Sequence, residues 1–443
     1  MSLKPPLPIW LQFSCLGLLI LPGCVTPQKR IAREMPALRS QWQADVAHQS
    51  ALPERRVSWL EALALLEKNN LKLRGARVDI TNSEEIARQV YRDLIPTVNL
   101  RSGVTKSVKN LPATSFDDVT FNIDSFFNIP GVVNFNARLF SGRLSVMRAK
   151  AACQIAEREQ TIELYKLFLE ARENDEQAAE LKTERSVAEA VRKADEISGE
   201  VLLKDVIAQE ALLAKTDESF QTRIGDLLAE RRFHWVLSTN GFPEFDYAAH
   251  PLPLEDTNRV AQLQMKMVAL ELVGDWAQVH GIKLQYWPEL SFFVTGPSAF
   301  QFANGQGNFA SAANVVGSAD FFWSLDTRGY VSQQLRTTRR AQDLEKAQLQ
   351  MDALALIDQL IAARKTEVSL REQAVQLDRL LAFLDKVPPD VDVNSILQRA
   401  ETNRSLHFQR ARLRRDMAEL NTLFWFVDEQ KWAEQPKELC LNH

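Results

Sequence analysis

The thiol of Cys24 has neighbours that indicate a defined chemistry. It follows Leu21-Pro22-Gly23, which resembles a bacterial lipobox, where a small residue precedes the cleaved bond and the freed thiol accepts a diacylglycerol. Residues 1–23 carry one charged side chain, Lys4, and an apolar core too short to span a bilayer. We therefore predict a signal peptide over 1–23 and lipidation at Cys24. The alternative is an ordinary signal peptide followed by a chance cysteine.

Other residue types that could do chemistry form no catalytic or metal-binding pattern. The 6 histidines include no HExxH motif, and the 4 cysteines include no CxxC pair. Cys153 lies on an amphipathic segment and is predicted to pack rather than react. The stretch Asn304-Gly-Gln-Gly-Asn308 lacks the lysine of a phosphate-binding loop and is predicted to connect two strands. We therefore expect no enzyme activity, no cofactor and no metal.

Charge gives no indication of a nucleic-acid partner. The formal net charge is -4, which disfavours a phosphate-binding surface. One basic run, Arg410, Arg412, Arg414 and Arg415, lies on a predicted helix. We interpret it as a solvated or ion-paired helix face.

Glycine and proline are scarce and unevenly distributed. The 443 residues include 16 glycines and 18 prolines, and none of them falls in 143–198, 330–387 or 390–435. Compact domains use these residues to reverse the chain every few turns. The sequence therefore predicts long helical rods and excludes a Rossmann fold, a barrel enzyme or a β-sandwich as the main architecture.

The predicted rods form two helical hairpins. The first long helix breaks at 197–199 and returns over about 202–238; the second breaks at 387–390 and returns over about 392–430. Charged residues dominate 157–196 and leave a narrow apolar stripe at coiled-coil spacing. Such arms pack on neighbouring arms rather than enclose a globular core.

Each hairpin is preceded by a helix and two predicted strands. In the first half the helix covers 58–95, with Ser58 and Glu61 as a capping box, and it stops at Pro96. Alternating polarity predicts strands over 97–103 and 133–139, joined by a loop over 104–130. In the second half we predict a helix over 253–285, strands over 290–295 and 315–325, and a loop over 296–312.

The two halves read as a tandem duplication. We predict a first repeat over 58–240 and a second over 241–430. A linker over 24–57 follows the lipidated cysteine, and 431–443 form a C-terminal tail.

The four strands have the length needed to cross an outer membrane. Polar residues would then face a lumen, and the candidates are Asn99, Arg101, Asn134, Asn136 and Arg138. Four strands cannot close a barrel, and open edges are not tolerated in lipid, so several copies must share one barrel. The alternative is a small soluble sheet on a helical stalk.

The order of these elements resembles the outer-membrane efflux factor (TolC-like) family. Three local motifs carry the resemblance: Trp59–Asn70 is similar to the family's opening helix, Leu94-Ile-Pro96 to the residues before its first strand, and Gly199 with Asp205–Glu210 to its helix turn. Together with the doubled order, the resemblance spans roughly 24–430.

The resemblance implies a mainly α-helical fold with membrane strands. It implies a homotrimer whose twelve-stranded β-barrel continues as a coiled-coil tunnel, lipid-anchored in the outer membrane and extending into the periplasm. Such a protein is the passive exit duct of a tripartite efflux pump or type I secretion system. Its partners are a periplasmic adaptor and an inner-membrane transporter, either proton-driven or of the ABC type. The rival interpretation is a coiled-coil envelope lipoprotein or adaptor that forms no pore.

The resemblance also implies a gate where the helices end. In the family, acidic residues near the helix turns ring the closed tunnel mouth, and here the candidates are Asp390, Asp392, Ser395 and Asp205. Such a ring would concentrate cations in a narrow pore. The alternative for Asp390 and Asp392 is N-capping of the return helix.

Overall fold

The computed structural model of the chain describes residues 27–48, 52–93, 95, 97–104, 119–129, 132–238, 242–243, 254, 260–284, 289–296, 299–303, 306–309, 316–322, 328–386 and 393–428. The predicted signal peptide, Cys24, Asp390 and Asp392 lie outside these ranges. Within them, no helix combines the length and apolar character that crossing a bilayer requires.

The described residues form eight helices, and the mainly helical fold class is confirmed. The helices are α1 Pro27–His48, α2 Trp59–Asn69, α3 Leu71–Arg92, α4 Val132–Ala194, α5 Glu196–Leu227, α6 Gln262–Leu284, α7 Tyr330–Lys386 and α8 Val393–Val427. With 63 residues, α4 is about 95 Å long, and the 57 residues of α7 span about 85 Å.

The described residues also form eight strands in two sheets. The strands are β1 Glu54–Val57, β2 Thr97–Val104, β3 Val119–Ile129, β4 His234–Leu237, β5 Glu289–Gly296, β6 Ala299–Ala303, β7 Gln306–Phe309 and β8 Val316–Phe322. β1 and β4 pair in parallel, whereas the six others form one sheet with antiparallel pairing throughout. Along this sheet β3 lies between β2 and β5, and β5 lies between β3 and β8.

The prediction of a strand over 133–139 is wrong, because these residues form the first turns of α4. The returning strand is β3, inside the stretch predicted as a loop. Seven residues of alternating polarity can also belong to a helix, when the helix is long and its apolar side chains pack on a neighbouring element. Here Phe135 meets the ring of Tyr91 edge-on at 6.0 Å, and Arg138 forms an ion pair with Asp93 at the end of α3.

This correction removes three of the predicted lumen-facing strand residues. Asn134, Asn136 and Arg138 are helical. Asn99 and Arg101 do lie on β2, opposite Asp124 and Asn122 in its register with β3. Their side-chain directions lie outside what the structure describes.

The predicted single helix over 58–95 is two helices that meet at Asn70. The capping box of Ser58 and Glu61 is confirmed. Asn70 is buried and precedes the first residue of α3. Its side chain caps this helix by accepting a hydrogen bond from the backbone N–H of Leu73. Its amide donates to Gln160 at 3.1 Å and to the carbonyl of Leu227 at 2.7 Å. Asn70 therefore connects three helices, which a linear pattern does not reveal.

The first hairpin turns at Asp195, two residues before the predicted break at 197–199. The Asp195 side chain caps α5 by accepting from the N–H of Ile197 and the hydroxyl of Ser198. These hydrogen bonds, that of Ser198 first, lower the pKa of Asp195. Gly199 lies inside α5, where a Cβ would approach the Cα of Arg192 to 2.3 Å. Gly199 therefore lets α5 approach α4 closely, and it does not form the turn itself.

The return helix of this hairpin ends at Leu227, so the predicted end at 238 is wrong. Ala229 adopts a left-handed conformation with φ 51°, and the N–H of Glu230 bonds the carbonyl of Gly225. This is a Schellman termination. The next residues form β4, because pairing with β1 buries Trp235 and Leu237.

The second half follows its predicted order with two changes, a later helix start and an additional hairpin. The helix predicted over 253–285 is described as α6, which begins at Gln262. The strands predicted over 290–295 and 315–325 are β5 and β8. The predicted loop over 296–312 contains an additional hairpin, β6–β7. The return helix predicted over 392–430 is α8.

The main core lies beside the middle of α4. Trp59, Tyr165, Phe168 and Phe242 form edge-on and stacked ring contacts between 4.7 and 5.9 Å, and Trp425 joins them through Tyr165. Elements from both halves of the chain contribute to this cluster. The aromatic end of α8 therefore packs within its own chain.

We expect Asn70→Ala to destabilise the fold by about 2 kcal/mol. The change removes the cap of α3 and leaves the partly buried Leu227 carbonyl without its donor. Thermal unfolding of the purified chain in detergent measures the effect. Asn82→Ala, an exposed site on the same helix, serves as the control; an equal midpoint for the two variants would contradict this role for Asn70.

Candidate tunnel-mouth site

The sequence predicted four gate residues near the ends of the hairpins, and the structure describes two of them. Ser395 lies half-buried in the first turn of α8. Asp205 lies on α5, about two and a half turns from the end of the first hairpin. It is not isolated: its carboxylate accepts a hydrogen bond from Arg404 of α8 at 2.5 Å.

Arg404 links three helices at this level. Its guanidinium contacts both carboxylate oxygens of Glu184 on α4, at 3.1 and 3.2 Å, in addition to Asp205 on α5. The Glu184 side chain is 2 % exposed and that of Arg404 is 11 % exposed, whereas Asp205 is partly in solvent. The cluster is therefore a largely desolvated ion pair with one carboxylate at its edge.

A second ion pair of the same kind lies further from the tip. Arg415 of α8 contacts Glu173 of α4 at 2.5 Å and its own-helix neighbours Asp416 and Glu419 at 3.1 and 3.4 Å. Glu173 and Glu184 are 11 residues apart on α4, and Arg404 and Arg415 are 11 residues apart on α8. Eleven residues make about three helical turns, so both pairs fall on one face of each helix.

The equal spacing determines how the two antiparallel helices are aligned. Sliding α8 along α4 by one turn would separate both arginines from both buried glutamates at once. Breaking a buried ion pair leaves an uncompensated charge, which costs several kcal/mol. We infer that the two pairs specify the register between the first hairpin and the second.

Burial dominates the electrostatics of the two glutamates. Desolvation raises the pKa of Glu184 and of Glu173, and the opposing charges of Arg404 and Arg415 offset this only in part. Burial acts to lower the pKa of Arg404, but the hydrogen bond to Asp205 and the charge of Glu184 outweigh it and raise that pKa. The pKa of Arg415 is raised as well, so both arginines remain charged near neutral pH.

The second hairpin has polar links of its own. Arg399 of α8 donates to the carbonyl of Leu384 at 2.6 Å and thereby satisfies the last turn of α7. On α7, the buried Glu367 accepts from Arg364 at 2.7 Å, and Arg364 also lies over the ring of Phe424. These contacts hold α7 against α8 below the core.

The ion-paired interpretation of the basic run is confirmed. Arg410 pairs with Asp378 at 3.0 Å, Arg414 with Glu176 at 3.5 Å, and Arg415 with Glu173. The sequence did not single out Glu173, Glu184 or Arg404. A signal was present, because both glutamates lie among the buried positions of a helix on which most charged residues are not buried.

The arrangement can hold the helices in one alignment. Within the described ranges no cluster of histidine, cysteine or carboxylate side chains could hold a metal ion. Cys153 is completely buried beside Ile80.

Solved structures of outer-membrane channels share this architecture. The Campylobacter jejuni CmeC channel matches with a TM-score of 0.65 at 10% identity, covering 84% of this chain and 86% of that chain. The channel OprN gives 0.64 at 16% identity over 86% and 94%. VceC from Vibrio cholerae gives 0.62 at 13% identity over 83% and 95%. No model of a protein family and no curated protein sequence matches the chain.

The chain therefore has the fold of these outer-membrane channels. The TolC-like fold expected from the sequence motifs is the fold found. At these identities the likeness establishes the fold, and the motif resemblance is confirmed at that level.

We expect Arg404→Leu to destabilise the fold by about 3 kcal/mol at pH 8, because it leaves Glu184 charged and buried. Removing the cation also raises the pKa of Glu184 further above 4.5. A buried acid with a raised pKa takes up a proton within the fold as pH falls, which removes the buried charge. The destabilisation by Arg404→Leu should therefore shrink towards pH 5. Thermal unfolding across this pH range measures both effects.

Arg185→Leu is the matched control, since Arg185 forms only exposed pairs with Glu210 and Glu189. Its effect should stay below about 1 kcal/mol. A pH-independent loss in Arg404→Leu would contradict the role of a buried charged Glu184.

Proposed function

We propose that the chain is one subunit of an outer-membrane exit duct that passively conducts substrates out of the cell. The observation that supports this most strongly is the fold, shared with solved outer-membrane channels over more than four fifths of the chain. The length of α4 and α7 fits a duct that extends far beyond the strands. Transport needs no catalytic residues, in keeping with the sequence.

We further propose that three copies assemble. The first support is an apolar face on α7 that is exposed in the single chain. Leu354, Ile361, Val368 and Val375 recur every seven residues, and Val368 and Val375 are 53% and 51% exposed. The opposite face of α7 is the one that packs on its own chain through Leu377 and Leu381. A heptad seam on the outer face favours packing on another helix.

The second support is the pair of sheet edges. β2 and β8 end the row of long strands, and within the described ranges the outer edge of each pairs with nothing. Open edges attract further strands and are not stable in lipid. The four strands β2, β3, β5 and β8 have 7 to 11 residues each. Three copies would combine them in a twelve-stranded barrel.

The remaining components follow from this assignment as proposals. Cys24 would carry the acyl chains that anchor the subunit in the outer membrane. The hairpins would extend into the periplasm and meet an adaptor that connects them to a proton-driven or ABC-type transporter. The duct would serve a tripartite efflux pump or a type I secretion system.

We propose that Asp390 and Asp392 contribute to the tunnel mouth, together with Ser395. Asp205 has a different role in this proposal. Because Arg404 binds it beside Glu184, Asp205 supports the alignment of α4, α5 and α8 instead of contributing a free charge.

Conductance and assembly together test the proposed function. The purified chain should run as a trimer in native mass spectrometry and conduct ions in planar bilayers. Val368→Glu with Val375→Glu should abolish both, because the two carboxylates would be buried in the seam between copies. A monomer without conductance would favour the non-pore envelope lipoprotein.

Gln373→Glu is the control, because Gln373 is exposed on α7 to one side of the heptad face. It adds one carboxylate where the test variant adds two, and it should leave trimer and conductance intact. Equal loss in this control would mean that charge on α7, rather than the apolar seam, decides the outcome.

Two substitution pairs distinguish a charged mouth from helix caps at Asp390 and Asp392. Asn at both positions removes the charge and keeps a capping side chain, whereas Ala removes both. A charged mouth predicts that both variants lose cation preference in single-channel recordings. If only the Ala variant changes, and it changes through lower thermal stability, the two aspartates are caps.

A further inference from the structure

Helix α1 presents an apolar face that no described part of its own chain covers. Ile31, Met35, Leu38 and Trp42 follow the 4-3-4 spacing of a coiled-coil stripe, and all four are exposed, Trp42 by 70%. The helix carries four cations and two carboxylates. A helix with such a face is expected to bury it against another surface.

The position of α1 along the molecule is limited by its connection to β1. Val57 of β1 and Leu73 of α3 belong to the same core cluster, whereas α3 continues from Leu73 to Arg92 towards the sheet. Leu73 and Arg92 are about 28 Å apart along α3. The six residues from His48 to Glu54 can span at most about 20 Å. α1 therefore cannot lie flat on a membrane surface at the level of the sheet.

The same limit keeps the C-terminal end of α1 within about 20 Å of Glu54, near the core. The first half of α7 also adjoins the core and is open to solvent. Leu360 of α7 belongs to the core cluster, and no described residue between 330 and 359 is buried. Leu344, Met351 and Leu354 form an exposed apolar stripe there, with Met351 65% exposed.

Charge favours contact between these two surfaces. Residues 341–358 of α7 contain four carboxylates, Asp343, Glu345, Asp352 and Asp358, and one lysine. None of the four forms an ion pair within the described part of the chain, and the same holds for Arg33 and Arg39 of α1. Opposite charges beside two apolar stripes align helices and specify which partner they choose.

We propose that α1 of one copy packs its Ile31–Trp42 face on segment 341–358 of α7 in a neighbouring copy, as an added coiled-coil helix that straps adjacent subunits together. A second copy is the occupant because α1 and segment 341–358 both leave their stripes open within the described part of one chain, and both are connected to the core. The proposal rests on the proposed function only in requiring that copies assemble.

Site-specific photocrosslinking in the full-length, membrane-extracted chain tests the strap. Leu38→p-benzoyl-phenylalanine places the reactive group on the apolar face, and Ser40→p-benzoyl-phenylalanine places it on the polar face as the matched control. Chains grown with ¹⁴N and ¹⁵N are mixed before assembly. We expect isotopically mixed crosslinks from position 38 to peptides within 341–358, at least fivefold above those from position 40.

Three outcomes would overturn the strap: crosslinks within single chains only, adducts with lipid or with another protein, or equal yields from positions 38 and 40. Trp42→p-benzoyl-phenylalanine repeats the measurement at the most exposed position, in case the change at Leu38 disturbs the helix. A wild-type trimer that conducts ions but gives none of the expected crosslinks would refute the strap alone. A wild-type monomer would refute the strap and the proposed function together.

Discussion

The structure depends on one constraint: a helix about 95 Å long must find a partner along its whole length. α4 meets this constraint in three sections. Its first turns pack on α3 and α6, where Arg148 donates to the carbonyls of Leu270 and Glu271 above Gly274. Its middle enters the aromatic core, and its last section packs on α5 and α8. Each section uses a different kind of contact because a different set of neighbours lies beside it.

The last section explains why charge lies inside a helical bundle. Apolar stripes allow neighbouring helices to slide by a turn, since one layer of leucine resembles the next. The pairs Glu173–Arg415 and Glu184–Arg404 permit one alignment, because a slide would leave charges buried without partners. Burial raises the pKa of both glutamates, which shows that these contacts stabilise one arrangement at an electrostatic cost. The function proposed here benefits from a defined alignment, because hairpins that form a duct wall must end at the same level.

The surfaces left open in the single chain complete this picture. They are the heptad face of α7, the outer edges of β2 and β8, and the apolar stripe of α1. Each is a type of surface that buries itself against a copy of the same kind: helix on helix and strand on strand. Their presence in one chain is consistent with an assembly in which the subunit is incomplete alone.

The sequence by itself determined the long rods, the doubled order of elements and the resemblance to a channel family. The stretches without glycine or proline and the spacing of local motifs are properties of the linear chain. It also located Ser58 as a cap and the basic run as an ion-paired face. Only the tertiary structure decided that 133–139 is helical, that Asn70 divides a helix and that Gly199 lies after the turn. In each case the deciding partner is distant in sequence or across a hairpin: Tyr91 and Asp93, Leu227, and Arg192. The buried pairs of α4 and α8 join residues more than 200 positions apart, so no local pattern could have matched them.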